Sequence, residues 1–354
     1  MKILVIQQKM IGDVLTSTIL LEALREKYPN AELHYLINSH TFPVAENNPF
    51  IDEFVFFSPE IEKSFIKMIG LSKKIRKSNY DVLIDCYSKL SSNFLSFFSK
   101  AKVKISYRKD YKSFIYNHNI EREKHSDDTI GLEITNRLKL LEPLNIEKRN
   151  LKPKIYLTEG EIVNAKNYLE ENTINFNHPI FMISVLGSAE NKTYPLKYMA
   201  QIIDIIAKKS NGQILFNYIP SQKIKAKEIF NLCSSNTKKQ ISFNVFGKSL
   251  REFLAITKHC TAVIGNEGGA INMAKALNIP TFAIYSPWIN KGGWNMFEDE
   301  QNVSVHLIEH KPNLYKNIEM KNMATDSTLY YKTFLPEYII PKLDIYLKQF
   351  SINS

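Results

Sequence analysis

The chain has 354 residues, 44% hydrophobic and 23% charged, the balance of an ordinary globular protein with apolar material for two cores. No apolar run approaches the ~20 residues of a membrane span, and the scattered Cys86, Cys233 and Cys260 form neither a disulfide framework nor a zinc motif. The formal net charge is +10, and residues 63–112 alone hold 13 Lys or Arg against three acids, an excess as large as that of the whole chain.

That basic stretch reads either as solvated helix faces or as a surface for an acidic partner. No nucleic-acid motif accompanies it, so a phosphorylated lipid head group or an anionic leaflet suits it better than nucleic acid.

In chain order, Lys2–Gln7 reads as a β-strand and not as a signal peptide, which predicts a cytoplasmic protein. Val14–Lys27 has helical periodicity. Strands are expected at Ala31–Asn38, Phe54–Phe57, Asp81–Asp85 and Val103–Tyr107, with helices at Ile61–Ser78 and Thr129–Leu141. A polar linker runs from about Asn145 to Gly160. The second half repeats the alternation more clearly. Its expected strands are Ile180–Val185, Gln213–Asn217, Ile241–Val245, Ala262–Gly265 and Thr281–Ile284. Its helices are Glu161–Asn172, Leu196–Lys209, Lys223–Cys233, Leu250–His259, Ala270–Leu277 and Pro336–Phe350. Strands alternating with helices predict an α/β protein with parallel sheets. Two Rossmann-like halves follow, 1–150 and 151–335, with 336–354 closing the chain, and ligands are expected in a cleft at the carboxyl ends of strands.

Three strand-following loops carry candidate chemistry. In Gln8–Asp13, Gly12 permits tight geometry at a helix start, and Asp13 is either a helix cap or a general base. In Leu186–Pro195, Gly187 and Ser188 precede a lone Lys192, either a solvated lysine or a point charge for an anion; the second glycine of a P-loop is missing. In Gly265–Ala270, Gly268 and Gly269 open a helix whose N-terminus favours negative charge. Both tryptophans, Trp288 and Trp294, sit in a glycine-containing stretch that is either loop packing or a stacking wall.

Together these loops resemble glycosyltransferase family 9, the ADP-heptose:lipopolysaccharide heptosyltransferases. The residues concerned are Ile3–Ile6 with Ile11-Gly12-Asp13-Val14-Leu15, Gly187-Ser188 with Asn191–Pro195, and Gly265–Leu277 with Pro280-Thr281. The resemblance implies a GT-B fold with the donor nucleotide in the C-terminal domain and the acceptor mostly in the N-terminal one. It implies inverting, metal-independent transfer without a cofactor, from a nucleotide-sugar such as ADP-heptose to an acidic glycolipid at the inner membrane. On that basis Asp13 is the base and Lys192 stabilises the leaving diphosphate. Gly12, Gly187, Ser188, Gln222, Asn266, Glu267, Gly268, Gly269 and Asn272 are expected to bind the donor. Lys100, Lys102, Lys104, Arg108 and Lys109 are expected to face the acceptor. Departures from the family pattern fall on the donor side: Glu267 replaces Asp, Gly268 Ser, Ala270 Pro and Asn272 His, and Tyr218–Lys223 offers no acid to a ribose. The alternatives are a GT-B enzyme using a UDP- or GDP-sugar, a GT-B sugar-nucleotide epimerase, and a non-catalytic sugar-nucleotide or glycolipid binding module.

Overall fold

A computed structural model describes residues 1–124, 130–147 and 150–350. The chain divides into two compact units, Met1–Tyr156 with Gly292–Met296, and Leu157–Lys291 with Phe297–Ser354. The division falls after Tyr156, within the expected linker and past the expected boundary at 150, and Lys154 Nζ of that linker pairs with Glu22 Oε1 at 2.7 Å. The closing helix, Pro336–Lys348, packs Ile339, Leu343 and Leu347 into the core of the second unit.

The first unit contains β1 Lys2–Ile6, β2 Glu32–Ile37, β3 Glu53–Phe56, β4 Val82–Asp85, β5 Val103–Tyr107 and β6 His118–Ile120. They form one sheet in the order β3-β2-β1-β4-β5-β6, every pair parallel. Helices cover both faces of a parallel sheet, so central strands are apolar throughout; Ile3–Ile6 of β1 is fully buried. The strand order reverses between β1 and β4, which makes their carboxyl ends the expected ligand crevice.

The second unit contains β7 Ile180–Ser184, β8 Gln213–Asn217, β9 Ala262–Asn266, β10 Thr281–Ile284 and β11 Asn302–Val305. Their order is β11-β10-β9-β7-β8, again all parallel. Here the reversal lies between β7 and β9, beside the Gly187–Lys192 and Glu267–Gly269 loops.

Several elements differ from expectation. The first helix begins at Ile11, so Asp13 lies in its first turn and not in a loop. The helix expected over Ile61–Ser78 breaks at Ser64, whose hydroxyl accepts from Lys67 N at 3.4 Å to start a new helix, Phe65–Lys77. Ile241–Val245 is not a strand. Only Ile241 bridges to Ile214, and Phe243 packs its ring on Tyr218 at 5.2 Å. Helix Leu90–Phe98 and the strands β6 and β11 arise where no element was expected. The helix expected from Thr129 runs over Leu132–Lys139; Thr129 itself lies outside the described residues, as do Lys148 and Arg149 of the linker and the tail 351–354.

Candidate functional site

In the first unit, Asp13 is the third residue of helix Ile11–Lys27. Its Oδ2 accepts from Met10 N at 3.2 Å, so part of its work is to cap the helix. Its Oδ1 accepts from Arg137 Nη2 at 2.6 Å. Arg137 is only 4% exposed, and burying a guanidinium costs several kcal/mol unless its donors are matched. Counting the Asp13 bond, four of the five are: Nε donates to Ser17 Oγ at 2.9 Å, and Nη1 to the Glu133 carbonyl and Oε2 at 3.0 and 2.9 Å. Glu133 Oε1 in turn accepts from Arg122 at 2.7 Å. This chain of charges fixes the Asp13 carboxylate, while Asp13 stays a quarter exposed at the β1 edge. An added Cβ on Gly12 would meet nothing within 4 Å, so the open backbone beside Asp13 is not demanded by packing.

Arg137, Glu133 and Ser17 were not among the expected site residues. Glu133 and Arg137 carry a readable signal, opposite charges four apart on one helix. Their convergence on Asp13 across 124 positions is tertiary and leaves no local trace.

The five expected acceptor cations do not form one patch, which corrects the expectation. β5 crosses the sheet between Lys102 and Arg108, about 20 Å at ~3.3 Å per residue. Lys100 and Lys102 lie at its amino end, where Lys102 pairs with Asp81 at 2.7 Å. Lys104 lies within the strand, and partial burial pushes its amine below the usual range. Only Arg108 and Lys109 reach the carboxyl edge; Arg108 pairs with Glu121 at 2.8 Å and Lys109 Nζ donates to the Ser88 carbonyl at 2.8 Å. Beside them Lys112 is buried on Ser88 Oγ and Ser106 Oγ, and burial pushes its amine down to about 8.

In the second unit the loops after β7 and β9 interlock. A Cβ on Gly187 would stand 2.2 Å from the Lys192 carbonyl oxygen, and one on Gly265 would stand 2.5 Å from that of Ser184. Asn266 staples the two loops, its Oδ1 accepting from Tyr194 N at 2.7 Å and its Nδ2 donating to the Ser184 carbonyl at 2.9 Å. Gln222 braces the same region, donating to the Gly187 carbonyl at 3.0 Å and accepting from Ile219 N at 3.2 Å. Asn266 and Gln222, expected to bind donor, instead spend these side-chain hydrogen bonds on bracing the loops after β7 and β8. Ser188 is exposed, and Asn272 lies partly buried on helix Gly269–Ala276.

Two features give this edge the chemistry that could hold an anion. Helix Gly269–Ala276 starts after Gly268, whose φ of +141° suits glycine, and like those of any helix its first amides have no intrahelical acceptors. Lys192 Nζ lies 5.3 Å from the Trp288 ring centroid, and the indole is held by its Nε1 donating to the Asn191 carbonyl at 2.7 Å. Among the described residues, Lys192 forms no salt bridge. Among the described residues, Glu267 Oε1 is buried without a hydrogen-bond partner. Burial pushes that carboxyl above the usual range, with the Lys192 charge pulling the other way. A buried acceptor left unmatched is costly unless a ligand donor satisfies it.

The wall behind Lys192 carries a pH dependence. Ser286 Oγ donates to the Asn191 carbonyl at 2.9 Å, and its own carbonyl lies 3.2 Å from His306 Nε2. His306 Nδ1 accepts from Ile308 N at 3.1 Å, which leaves Nε2 as the protonated nitrogen. Burial pushes this imidazole from 6.5 down to about 4. As pH falls below 6.5 the unfolded chain binds the proton first. The stability is therefore complete above pH 6.5 and is lost as pH falls towards 4, by about 3 kcal/mol at most. His306→Gln is expected to flatten the loss of Tm between pH 7 and pH 4.5; an unchanged slope would contradict this.

Among the described residues one group has metal-ligand spacing, Glu32, His34 and Glu53, with ligand atoms within 4.8 Å of one another. Glu32 and Glu53 begin β2 and β3, away from the carboxyl edge, and Lys2 Nζ already stands 3.0 Å from Glu32 Oε1.

The profile of glycosyltransferase family 9 (heptosyltransferase) matches residues 68–324. The chain belongs to glycosyltransferase family 9. It is 24% identical over 295 residues to lipopolysaccharide heptosyltransferase 1 of Campylobacter coli, covering 80% of this chain and 84% of the relative. Among solved structures, E. coli ADP-heptose lps heptosyltransferase II superposes with a TM-score of 0.75 at 17% identity over 99% of both chains. E. coli heptosyltransferase WaaC with ADP-2-deoxy-2-fluoro heptose gives 0.64 at 14% identity, over 86% of this chain and 93% of that one. The two parallel α/β units are those of the GT-B fold, and the protein is a glycosyltransferase.

Proposed function

We propose that this family 9 glycosyltransferase moves heptose from ADP-heptose to an acidic lipopolysaccharide-core glycolipid at the cytoplasmic face of the inner membrane. The reaction is inverting and needs no metal. Asp13 takes the proton of the acceptor hydroxyl as that oxygen bonds to the anomeric carbon. The bond from that carbon to the diphosphate breaks, and its electron pair leaves on ADP. Lys192 and the amides that open helix Gly269–Ala276 stabilise the departing charge, a role usually filled by a divalent cation. Glu267 Oε1 accepts from a sugar hydroxyl. The observation that carries this reading is the pairing of Lys192 with an open helix N-terminus and an unmatched buried carboxylate at one strand edge. The ADP-ligated neighbour supports the choice of nucleotide.

A UDP- or GDP-sugar is the second reading, favoured by the committed Gln222 amide and the absence of an acid over Tyr218–Lys223. Thermal stabilisation by ADP, UDP, GDP and CDP, with and without EDTA, separates the two. ADP alone raising Tm, unaffected by EDTA, is expected; stabilisation by UDP or GDP instead would remove heptose from the proposal.

A further inference from the structure

Lys112 is buried, yet among the described residues it forms no salt bridge. A buried ammonium is costly unless its donors are matched. Here they meet neutral groups. Nζ donates to Ser88 Oγ and, at 3.1 Å, to Ser106 Oγ, and it lies 4.9 Å from the Tyr116 ring centroid. Asp85, the last residue of β4, supplies the counter-charge at longer range. Its own Oδ2 accepts from Tyr116 OH at 2.6 Å.

These groups converge on one residue. Ser88, in the loop after β4, has φ +56°, the left-handed region that serine seldom adopts. Each of its polar atoms is held by a charged side chain. Its N–H donates to Asp85 Oδ1 at 2.8 Å, its carbonyl accepts from Lys109 Nζ at 2.8 Å, and its Oγ accepts from Lys112. Unfavourable backbone persists only where its surroundings over-determine it, and such places cluster at ligand sites. This turn stands where the strand order reverses, against the loop that leads to Asp13. Cys86 N and Tyr87 N both donate to the Ile6 carbonyl, at 3.0 and 3.2 Å, and Ser91 Oγ donates to Gln8 Oε1 at 2.6 Å. Tyr87 is partly exposed and within electrostatic reach of Lys9 and Asp13. Lys89 is exposed, and among the described residues neither it nor Lys109 forms a salt bridge.

We propose that Lys112 is a positioning residue for the acceptor: from inside the first unit it clamps the Ser88 turn, and the clamped turn holds Tyr87, Lys89 and Lys109 to an acidic acceptor sugar beside Asp13. Lys112 itself touches no substrate. The inference rests on the transfer reading and deepens it, by naming what fixes the acceptor side of the site.

The test is Lys112→Met in the full chain, read by hydrogen exchange and by steady-state kinetics. Methionine keeps the volume of the stem and removes the buried charge, so the variant is expected to fold with a Tm near that of wild type. Exchange over residues 86–92 is expected to speed up at least ~10-fold, with the rest of the first unit unchanged. The KM for a heptose-deficient lipopolysaccharide core is expected to rise about 10-fold or more, with kcat and ADP affinity within a factor of about three. Adding Ser88→Gly is expected to recover most of that loss, because glycine adopts a φ of +56° without a clamp. Unchanged exchange would overturn the proposal whatever the chain transfers. Faster exchange with an unchanged acceptor KM would reduce Lys112 to a structural lock, and a double variant no better than Lys112→Met would take the effect away from Ser88; either result overturns it. A wild type that transfers no sugar, with exchange still faster in the variant, would instead fail the transfer reading, and the acceptor role with it, while the clamp stands.

Discussion

Asp13→Asn is expected to lower kcat for sugar transfer by about 10³-fold while leaving nucleotide affinity within a factor of about two, the size of effect typical for loss of a positioned general base. The substitution keeps the shape and an oxygen that can still accept from Met10 N, and it removes only the proton acceptor. Arg137 then loses its carboxylate at 2.6 Å, so some stability is lost as well. That loss is expected to be about 1–2 kcal/mol, below the full cost of breaking a buried pair, because Ser17 and Glu133 still hold the guanidinium and Asp13 is a quarter exposed. Single-turnover kinetics at a temperature where both proteins are folded separate the two effects. A variant that is less stable yet transfers at the wild-type rate would make Asp13 a structural cap only.

Lys192→Ala is expected to lower kcat by about 10²–10³-fold, the usual loss for one preorganised donor at a site of developing charge. The ammonium rests on the Trp288 face without a salt bridge among the described residues, so its removal breaks no ion pair and should leave Tm nearly unchanged. Burial of Glu267 is expected to become more costly in the variant, since the nearby positive charge that offsets it is gone. Steady-state kinetics with varied nucleotide-sugar check this. An unchanged kcat, or a loss confined to KM, would take Lys192 away from the leaving group.

Much of the fold was legible because parallel sheets write apolar runs into the chain. Ile3–Ile6, Ile180–Ser184 and Ala262–Asn266 are buried along their length, and the helices after β7 and β9 carry periodicity, whereas helix Ile11–Lys27 is buried without a break from Val14 to Leu24. Elements at the sheet edges, β6 and β11, are short and only partly buried, and so carry little pattern. Helix Leu90–Phe98 escaped notice for a different reason: its serines face inward and its phenylalanines outward, so burial logic reads it backwards.

At the site, residue types were readable but duties were not. Asp13 and Lys192 stand at the carboxyl edges of their sheets, as their positions after β1 and β7 imply. Asn266 and Gln222 share the same loops, and only hydrogen-bond geometry shows that they brace the backbone. The run of cations looked continuous in sequence because β5 separates Lys102 from Arg108 by few residues but by the full height of the sheet.

The most direct test of the central claim is a transfer assay with ADP-heptose and a heptose-deficient lipopolysaccharide core in EDTA, read by mass spectrometry of the acceptor and by release of ADP. Expected are an acceptor heavier by one heptosyl residue, one ADP released for each, inverted configuration at the new anomeric centre, and no rate gain from added Mg²⁺. ADP released without a heavier acceptor, or transfer that requires the metal, would contradict it.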